Sequence, residues 1–211
     1  MKGGGWQHRV KRAGDVALVL VALPVAVPLG LAVAILVRWR LGRPVLFSQL
    51  RAGQLGRPVR IWKFRSMSEA RDAGGNLLAD EHRLGRFGGW LRSTSLDELP
   101  QLWNILRGDL SWVGPRPLLL RYVARYSPAQ ARRLLVRPGL TGWAQIHGRN
   151  ALDWECRLEL DVWYVDHWTL RLDGRILAGT VLQVLRRADT RGENSATMEE
   201  FRGSGGSNHV Q

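Results

Sequence analysis

Asp97 and Glu98 stand side by side inside Leu91-Arg-Ser-Thr-Ser-Leu-Asp-Glu-Leu-Pro-Gln-Leu-Trp-Asn-Ile-Leu106. Arg92 and the hydroxyls of Ser93, Thr94 and Ser95 precede them. Leu99, Leu102, Trp103 and Leu106 follow at i, i+3, i+4 and i+7, one face of a helix. Pro100 marks a first turn, where a missing N–H is harmless. The carboxylates therefore sit at a helix N-terminus. Two readings fit. Ser95-x-x-Glu98 can be a capping box, with Asp97 a further favourable acid. Alternatively the pair works on a ligand, and cations must meet it. Lys63 is one such cation. Val59-Arg-Ile-Trp-Lys-Phe64 reads as a strand, with Lys63 on the face of Val59 and Ile61, and Trp62 and Phe64 opposite. A lysine there either snorkels or points at an anion. Arg116 is another, bracketed by Pro115 and Pro117, which fix extended backbone on either side. A guanidinium on so rigid a mount suits paired hydrogen bonds to phosphate or carboxylate, although a surface loop would also read this way.

The elements that must position these residues follow from periodicity. Val45-Leu46-Phe47 pairs with the second strand as a hairpin across the turn-rich Arg51–Pro58. Residues 68–80 read as a loop or short surface helix, and 81–91 as a helix loosened by Gly85, Gly88 and Gly89. Gly108 is a natural C-cap. Residues 118–135 read as two basic amphipathic helices carrying Arg121, Arg125, Arg132 and Arg133. Arg137 to Asn150 is turn-rich, and His147 within it has no partner at metal-ligand spacing. Residues 153–168 and 172–185 are helical. Ile176, Leu177, Thr180, Val181, Val184 and Leu185 form a stripe suited to a membrane surface.

A net charge of +13, from 31 Lys and Arg against 18 Asp and Glu, calls for a polyanionic partner: nucleic acid, anionic membrane or phosphorylated substrate. The single cysteine, Cys156, excludes an internal disulfide and fits a domain facing the cytosol. Val16 to Val37 is uncharged and mostly apolar, long enough for a membrane helix. No small-residue cleavage site follows a short core, which argues against a signal peptide. Pro24 and Pro28 fall inside the run. Basic residues flank both ends: His8, Arg9, Lys11 and Arg12 before it, Arg38, Arg40 and Arg43 after it. A spanning helix and a re-entrant one both remain open. Re-entry lets the prolines turn the chain and keeps both basic flanks on the cytoplasmic side.

Several blocks in order then show a resemblance. They are Trp62-Lys-Phe-Arg-Ser-Met67, Leu91-Arg-Ser-Thr-Ser-Leu-Asp-Glu-Leu-Pro-Gln-Leu102, Gly108-Asp-Leu-Ser-Trp-Val-Gly-Pro-Arg-Pro-Leu118, Arg137-Pro-Gly-Leu-Thr-Gly-Trp-Ala-Gln145 and Gly148-Arg-Asn150. The chain resembles the bacterial sugar transferases, the small monotopic polyprenyl-phosphate phosphoglycosyl transferases. Leu77-Leu-Ala-Asp-Glu81 and Thr197-Met-Glu-Glu-Phe201 point to the bacillosamine and N-glycan type, the minimal single-anchor form. The fold so implied is α+β and mainly helical. It comprises a basic arm (1–12), a re-entrant helix-break-helix (13–43), a cytoplasmic catalytic domain (44–190) with a small β-hairpin and interfacial amphipathic helices, and a polar, partly disordered tail (191–211). The family's Ser-Pro break falls at Val27-Pro28, so the proline is kept and the serine is not.

The resemblance implies a reaction at the cytoplasmic face of the bacterial inner membrane. A sugar 1-phosphate passes from a UDP-sugar to undecaprenyl phosphate, leaving UMP. Asp97 would be the nucleophile and form a phosphosugar intermediate. Glu98 would hold Mg²⁺ with Asp97 or assist the acceptor. Lys63, Arg92 and Arg116, on its Pro115 and Pro117 mount, would bind phosphates, and Asp173 would support. The expected partners are the donor, the acceptor, anionic lipids and downstream glycosyltransferases, with no nucleic acid. The competing class is a non-enzymatic, membrane-tethered binder of nucleic acid or anionic lipid, in which Asp97 and Glu98 are dispensable.

Overall fold

The computed structural model describes residues 5–148, 152–186 and 200–203. Most of the expected tail, together with Arg149, Asn150 and Arg187, lies outside the described residues. Helix α1, Gly5–Leu41, has 37 residues and is long and apolar enough to cross a membrane. Asp15, Val19, Leu23, Ala26, Val33 and Val37 recur at helical spacing and pack on the globular body. Val21, Val25, Val27 and Ile35 stay exposed. The expected interruption at Pro24 and Pro28 is not seen in the backbone, which is helical through both. The prolines lie four residues apart on the exposed side. Their lost hydrogen bonds therefore fall on one face, which bends a helix rather than ending it.

Both flanks of the apolar run are tied to the same body. Lys11 donates to the Val113 carbonyl at 3.0 Å, and Arg12 donates to the carbonyls of Ile105 at 2.5 Å and Leu106 at 2.7 Å. At the other end Arg65 donates to the carbonyls of Leu41 and Arg43.

The hairpin forms as expected. Strand β1 is Leu46–Ala52 and β2 is Pro58–Phe64, antiparallel, with Phe47 opposite Lys63 and Gln49 opposite Ile61. Ile61 and Phe64 enter two separate apolar clusters, each shared with α1. Helix α2, Asp80–Arg83, and helix α3, Arg86–Ser93, follow. A Cβ on Gly88 would stand 1.8 Å from the Ser66 carbonyl, so only glycine lets α3 lie against that backbone. A 3-10 turn, Leu96–Glu98, leads into helix α4, Gln101–Arg107, closed by left-handed Gly108.

Strand β3, Ser111–Val113, pairs in parallel with β4, Gly139–Thr141, a contact between distant segments that periodicity does not show. The two amphipathic helices expected over 118–135 are not formed. That segment is a 3-10 stretch Leu120–Arg125, helix α5 Pro128–Ala131 and a 3-10 turn Arg132–Leu135. Its arginines are drawn into ion pairs instead: Arg121 and Arg125 with Glu200, Arg132 with Asp166, and Arg133 with Asp161. Helices α6, Trp143–Ile146, α7, Trp154–His167, and α8, Leu170–Arg186, complete the fold. Asp153 caps α7 by accepting from the Cys156 N–H at 2.7 Å. The α8 stripe is divided. Ile176 and Leu177 pack beside Val113 and Tyr164, Thr180 bonds Thr141, and Val181 remains exposed. The result is a mainly helical α+β fold with two small sheets.

Candidate active site

Five side chains expected to act together do converge. Lys63, on β2, places Nζ 2.5 Å from Glu98 Oε1 and 3.8 Å from Asp97 Oδ2. Arg116 Nη2 donates to the same Glu98 oxygen at 2.8 Å. Arg92, in the last turn of α3, donates to Ser66 Oγ at 3.0 Å and carries its charge close enough to stabilise ionised Asp97.

The carboxylates are presented differently from the capping expectation. Ser95 makes no side-chain cap bond and adopts a left-handed backbone with φ 56°. For a residue with a Cβ this is a strained conformation, of the kind found where surrounding structure holds a functional turn. It starts the single 3-10 turn that carries Asp97 inward. The apolar face of α4 is also rotated from expectation. Leu102 and Ile105 are buried, whereas Trp103 is 58% exposed. The cause is Asn104, which accepts from the Trp62 N–H at 3.2 Å and donates to the Arg60 carbonyl at 2.8 Å, turning inward a position that reads as polar.

The two carboxylates differ in their proton affinity. Asp97 is 6% exposed. Burial, reinforced by the Glu98 charge and only partly opposed by Lys63, Arg116 and Arg92, pushes its carboxyl up to about 6. Burial would raise Glu98 too, but Arg116 and Lys63, which both attract and hydrogen-bond it, hold it well below the usual carboxylate range. Glu98 is thus a permanent anion tying two cations in place. Asp97 is a weakly paired carboxylate beside them.

Arg116 is mounted as expected, by more than its prolines. The Pro115 carbonyl accepts from the Gly139 N–H at 3.0 Å, and the Leu118 carbonyl from the Ala52 N–H at 2.9 Å. A Cβ on Gly139 would lie 2.1 Å from the Gly114 nitrogen, so glycine permits this crossing. Arg133 supplies a support that the sequence concealed. It donates to the Arg116 carbonyl at 2.6 Å, to Asp161 Oδ2 at 2.8 and 3.0 Å, and to Tyr126 at 3.2 Å. Arg51 and Arg157 were also missed. Burial and repulsion from Arg116 lower both guanidiniums to about 10. A set of cations that repel one another suits a site that receives a polyanion.

Asp173 is not brought to this carboxylate pair. It accepts from Lys11 at 2.5 Å, Tyr164 at 2.7 Å and Trp168 at 3.1 Å. Lys11 also donates to the Val113 carbonyl, which the Tyr164 hydroxyl oxygen approaches at 3.2 Å, just before the Gly114–Pro117 mount. Asp173 therefore ties α1 to α7, α8 and the root of that mount. Among the described residues no group of three His, Cys, Asp or Glu could hold a metal. An ion that takes one or two protein carboxylates and completes its shell with phosphate oxygens needs no such cage; Asp97 and the second oxygen of Glu98 are the carboxylate oxygens that would be offered to it.

A family model described as bacterial sugar transferase matches residues 6–187. The uncharacterized sugar transferase EpsL of Bacillus subtilis (strain 168) is 54% identical over 169 residues, 80% of this chain and 84% of EpsL. A UDP-N-acetylgalactosamine-undecaprenyl-phosphate N-acetylgalactosaminephosphotransferase of Aeromonas hydrophila is 38% identical over 184 residues, 83% of this chain and 44% of the relative. A UDP-glucose:undecaprenyl-phosphate glucose-1-phosphate transferase of Escherichia coli (strain K12) is 37% identical over 189 residues, 85% of this chain and 41% of the relative. The chain thus spans less than half the length of these last two. The matched span includes all of α1 but its first residue, the hairpin and every residue of the carboxylate–cation cluster, and the chain belongs to the bacterial sugar transferase family.

Proposed function

We propose that the chain transfers a sugar 1-phosphate from a UDP-sugar to undecaprenyl phosphate, giving an undecaprenyl-diphospho-sugar and UMP. The observation that carries this reading is the buried Asp97, held beside Lys63 and a doubly anchored Glu98. The names of the relatives supply the substrate class. Asp97 Oδ attacks the sugar-bearing phosphorus, and the bond to UMP breaks, its electron pair leaving with UMP. An ionised carboxylate needs no general base. An oxygen of the lipid phosphate then attacks the same phosphorus and returns the electron pair to Asp97. Lys63, Arg92 and Arg116 neutralise phosphate oxygens as charge gathers. Asp97 and Glu98 would hold Mg²⁺, which supplies further charge neutralisation on the diphosphate.

The test is UMP release from a panel of UDP-sugars with Mg²⁺, with and without undecaprenyl phosphate. Steady turnover is expected only with the acceptor, and no release from any donor would overturn the reading. A non-enzymatic polyanion binder, which the net charge permits, gains no support from the site or the relatives.

The acid limb of the rate profile is a second prediction. Asp97 must be ionised to attack, and in the metal-free site its carboxyl is raised to about 6. Without Mg²⁺ the side-chain carboxyl of Asp97 should therefore titrate near 6 in the folded chain, read by pH-dependent NMR, and added Mg²⁺ should move the acid limb of kcat/KM below that value. A metal-free titration near about 4 would make Asp97 an ordinary carboxylate.

A re-entrant placement of α1 on the cytoplasmic face completes the proposal. Its support is the attachment of Lys11 and Arg12 at one flank, and Leu41 at the other, to one body. Single cysteines at Arg9 and Arg40, in a Cys156→Ser background, should be labelled from the same side of sealed membranes. Labelling from opposite sides would mean a spanning helix.

A further inference from the structure

We infer that Gln101 is a positioning residue for Asp97, its amide N–H kept for the carboxylate during the reaction. The inference rests on the reading of Asp97 as nucleophile. Gln101 lies four residues after Asp97. Leu99 and Pro100 between them keep right-handed helical backbone. Residues 97, 101 and 104 therefore share a face, with Cβ atoms roughly 6 Å apart from turn to turn. That face meets β2 and is pinned at both ends. Asn104 bonds the Trp62 N–H and the Arg60 carbonyl, and Asp97 approaches Lys63. Gln101 lies between these anchors. It is 3% exposed, and its Nε2 has no hydrogen-bond partner.

Asp97 Oδ2 stands 3.8 Å from Lys63 Nζ, too far for a hydrogen bond. A buried donor without an acceptor is costly, and an apolar side chain of the same size would avoid that cost. Solvent does not reach Nε2, so its partner must come from inside the protein. The carboxylate one turn away is an acceptor of the right kind. When one Asp97 oxygen bonds to phosphorus, the other becomes the carbonyl of an acyl phosphate. When the lipid phosphate attacks, the P–O bond to Asp97 breaks and the electron pair returns to the carboxylate. An N–H on the non-bridging oxygen fixes which oxygen attacks and stabilises the carboxylate as it leaves.

The test is Gln101→Met in the full chain, because methionine has the same unbranched length and no donor. Gln101→Leu serves as a second variant. The melting temperature should be unchanged or higher, since an unmade buried donor is removed. The kcat should fall by about tenfold to a hundredfold, with KM for the UDP-sugar within about twofold. In a chase with undecaprenyl phosphate, the Asp97 adduct should be discharged more slowly than in wild type. Wild-type kcat in folded variants, or a loss of kcat that tracks a lower melting temperature, would overturn the role of Gln101 alone. Absence of any adduct on wild-type Asp97 would overturn the nucleophile assignment and this role with it.

Discussion

Asp97→Asn should abolish turnover and raise the melting temperature of the same protein. The kinetic half follows from replacing the proposed nucleophilic carboxylate by a neutral amide, a loss of about 10⁴-fold or more in kcat. The stability half follows from the raised carboxyl, which goes from 3.8 to about 6 because the group is buried. Folding then favours the protonated form. Above pH 6 the ionised side chain is a standing cost. The cost shrinks as pH falls from about 6 towards 3.8, where folded and unfolded chains are both protonated. At pH 7.5 it is about 3 kcal/mol, which a neutral asparagine of the same shape relieves. In a chain of this size that is about 9 °C, read by thermal unfolding. A surface capping residue predicts the opposite pattern, a small loss of stability with activity kept.

The second large effect concerns a residue that touches no substrate. Arg133→Met should lower unfolding free energy by about 3–5 kcal/mol, because it leaves Asp161 charged and buried without its partner. Arg133 is 2% exposed and Asp161 1% exposed, so water cannot take the place of either. The double variant Arg133→Met, Asp161→Leu should recover most of that loss in chemical denaturation, since an apolar pair of similar volume replaces the ions. Turnover should stay low in the double variant. Its Arg116 carbonyl has lost the Arg133 donor, so the mount of the Arg116 guanidinium is loosened. Recovery of both stability and turnover would show that Arg133 does not position Arg116.

The parts of this site that were legible in the sequence are those set by local spacing. Alternation placed Lys63 on the inward face of β2, and Pro115 and Pro117 marked the Arg116 mount. Asp97 and Glu98 were correctly put at the start of a helix, yet the capping box was not formed. Ser95 is left-handed, a choice made by tertiary packing that no propensity encodes. Trp103 was assigned inward by hydrophobicity, but Asn104 took the inward side because two β2 backbone groups needed partners. Arg133 read as part of a basic amphipathic helix. Its partners are 17 and 28 residues away in sequence. Long-range pairing of this kind, like the parallel β3–β4 contact, leaves no periodic trace. The prolines of α1 were read as a break, yet the helix runs through both, four residues apart on its exposed side.

The most direct test of the account is intact-protein mass spectrometry after incubation with a UDP-sugar and Mg²⁺, without acceptor. The account predicts a mass increase of one sugar phosphate, mapped to Asp97 and discharged by undecaprenyl phosphate with one lipid product per adduct. Asp97→Asn should show no such adduct. Steady turnover on adding acceptor, with no adduct on Asp97 at any time, would contradict it.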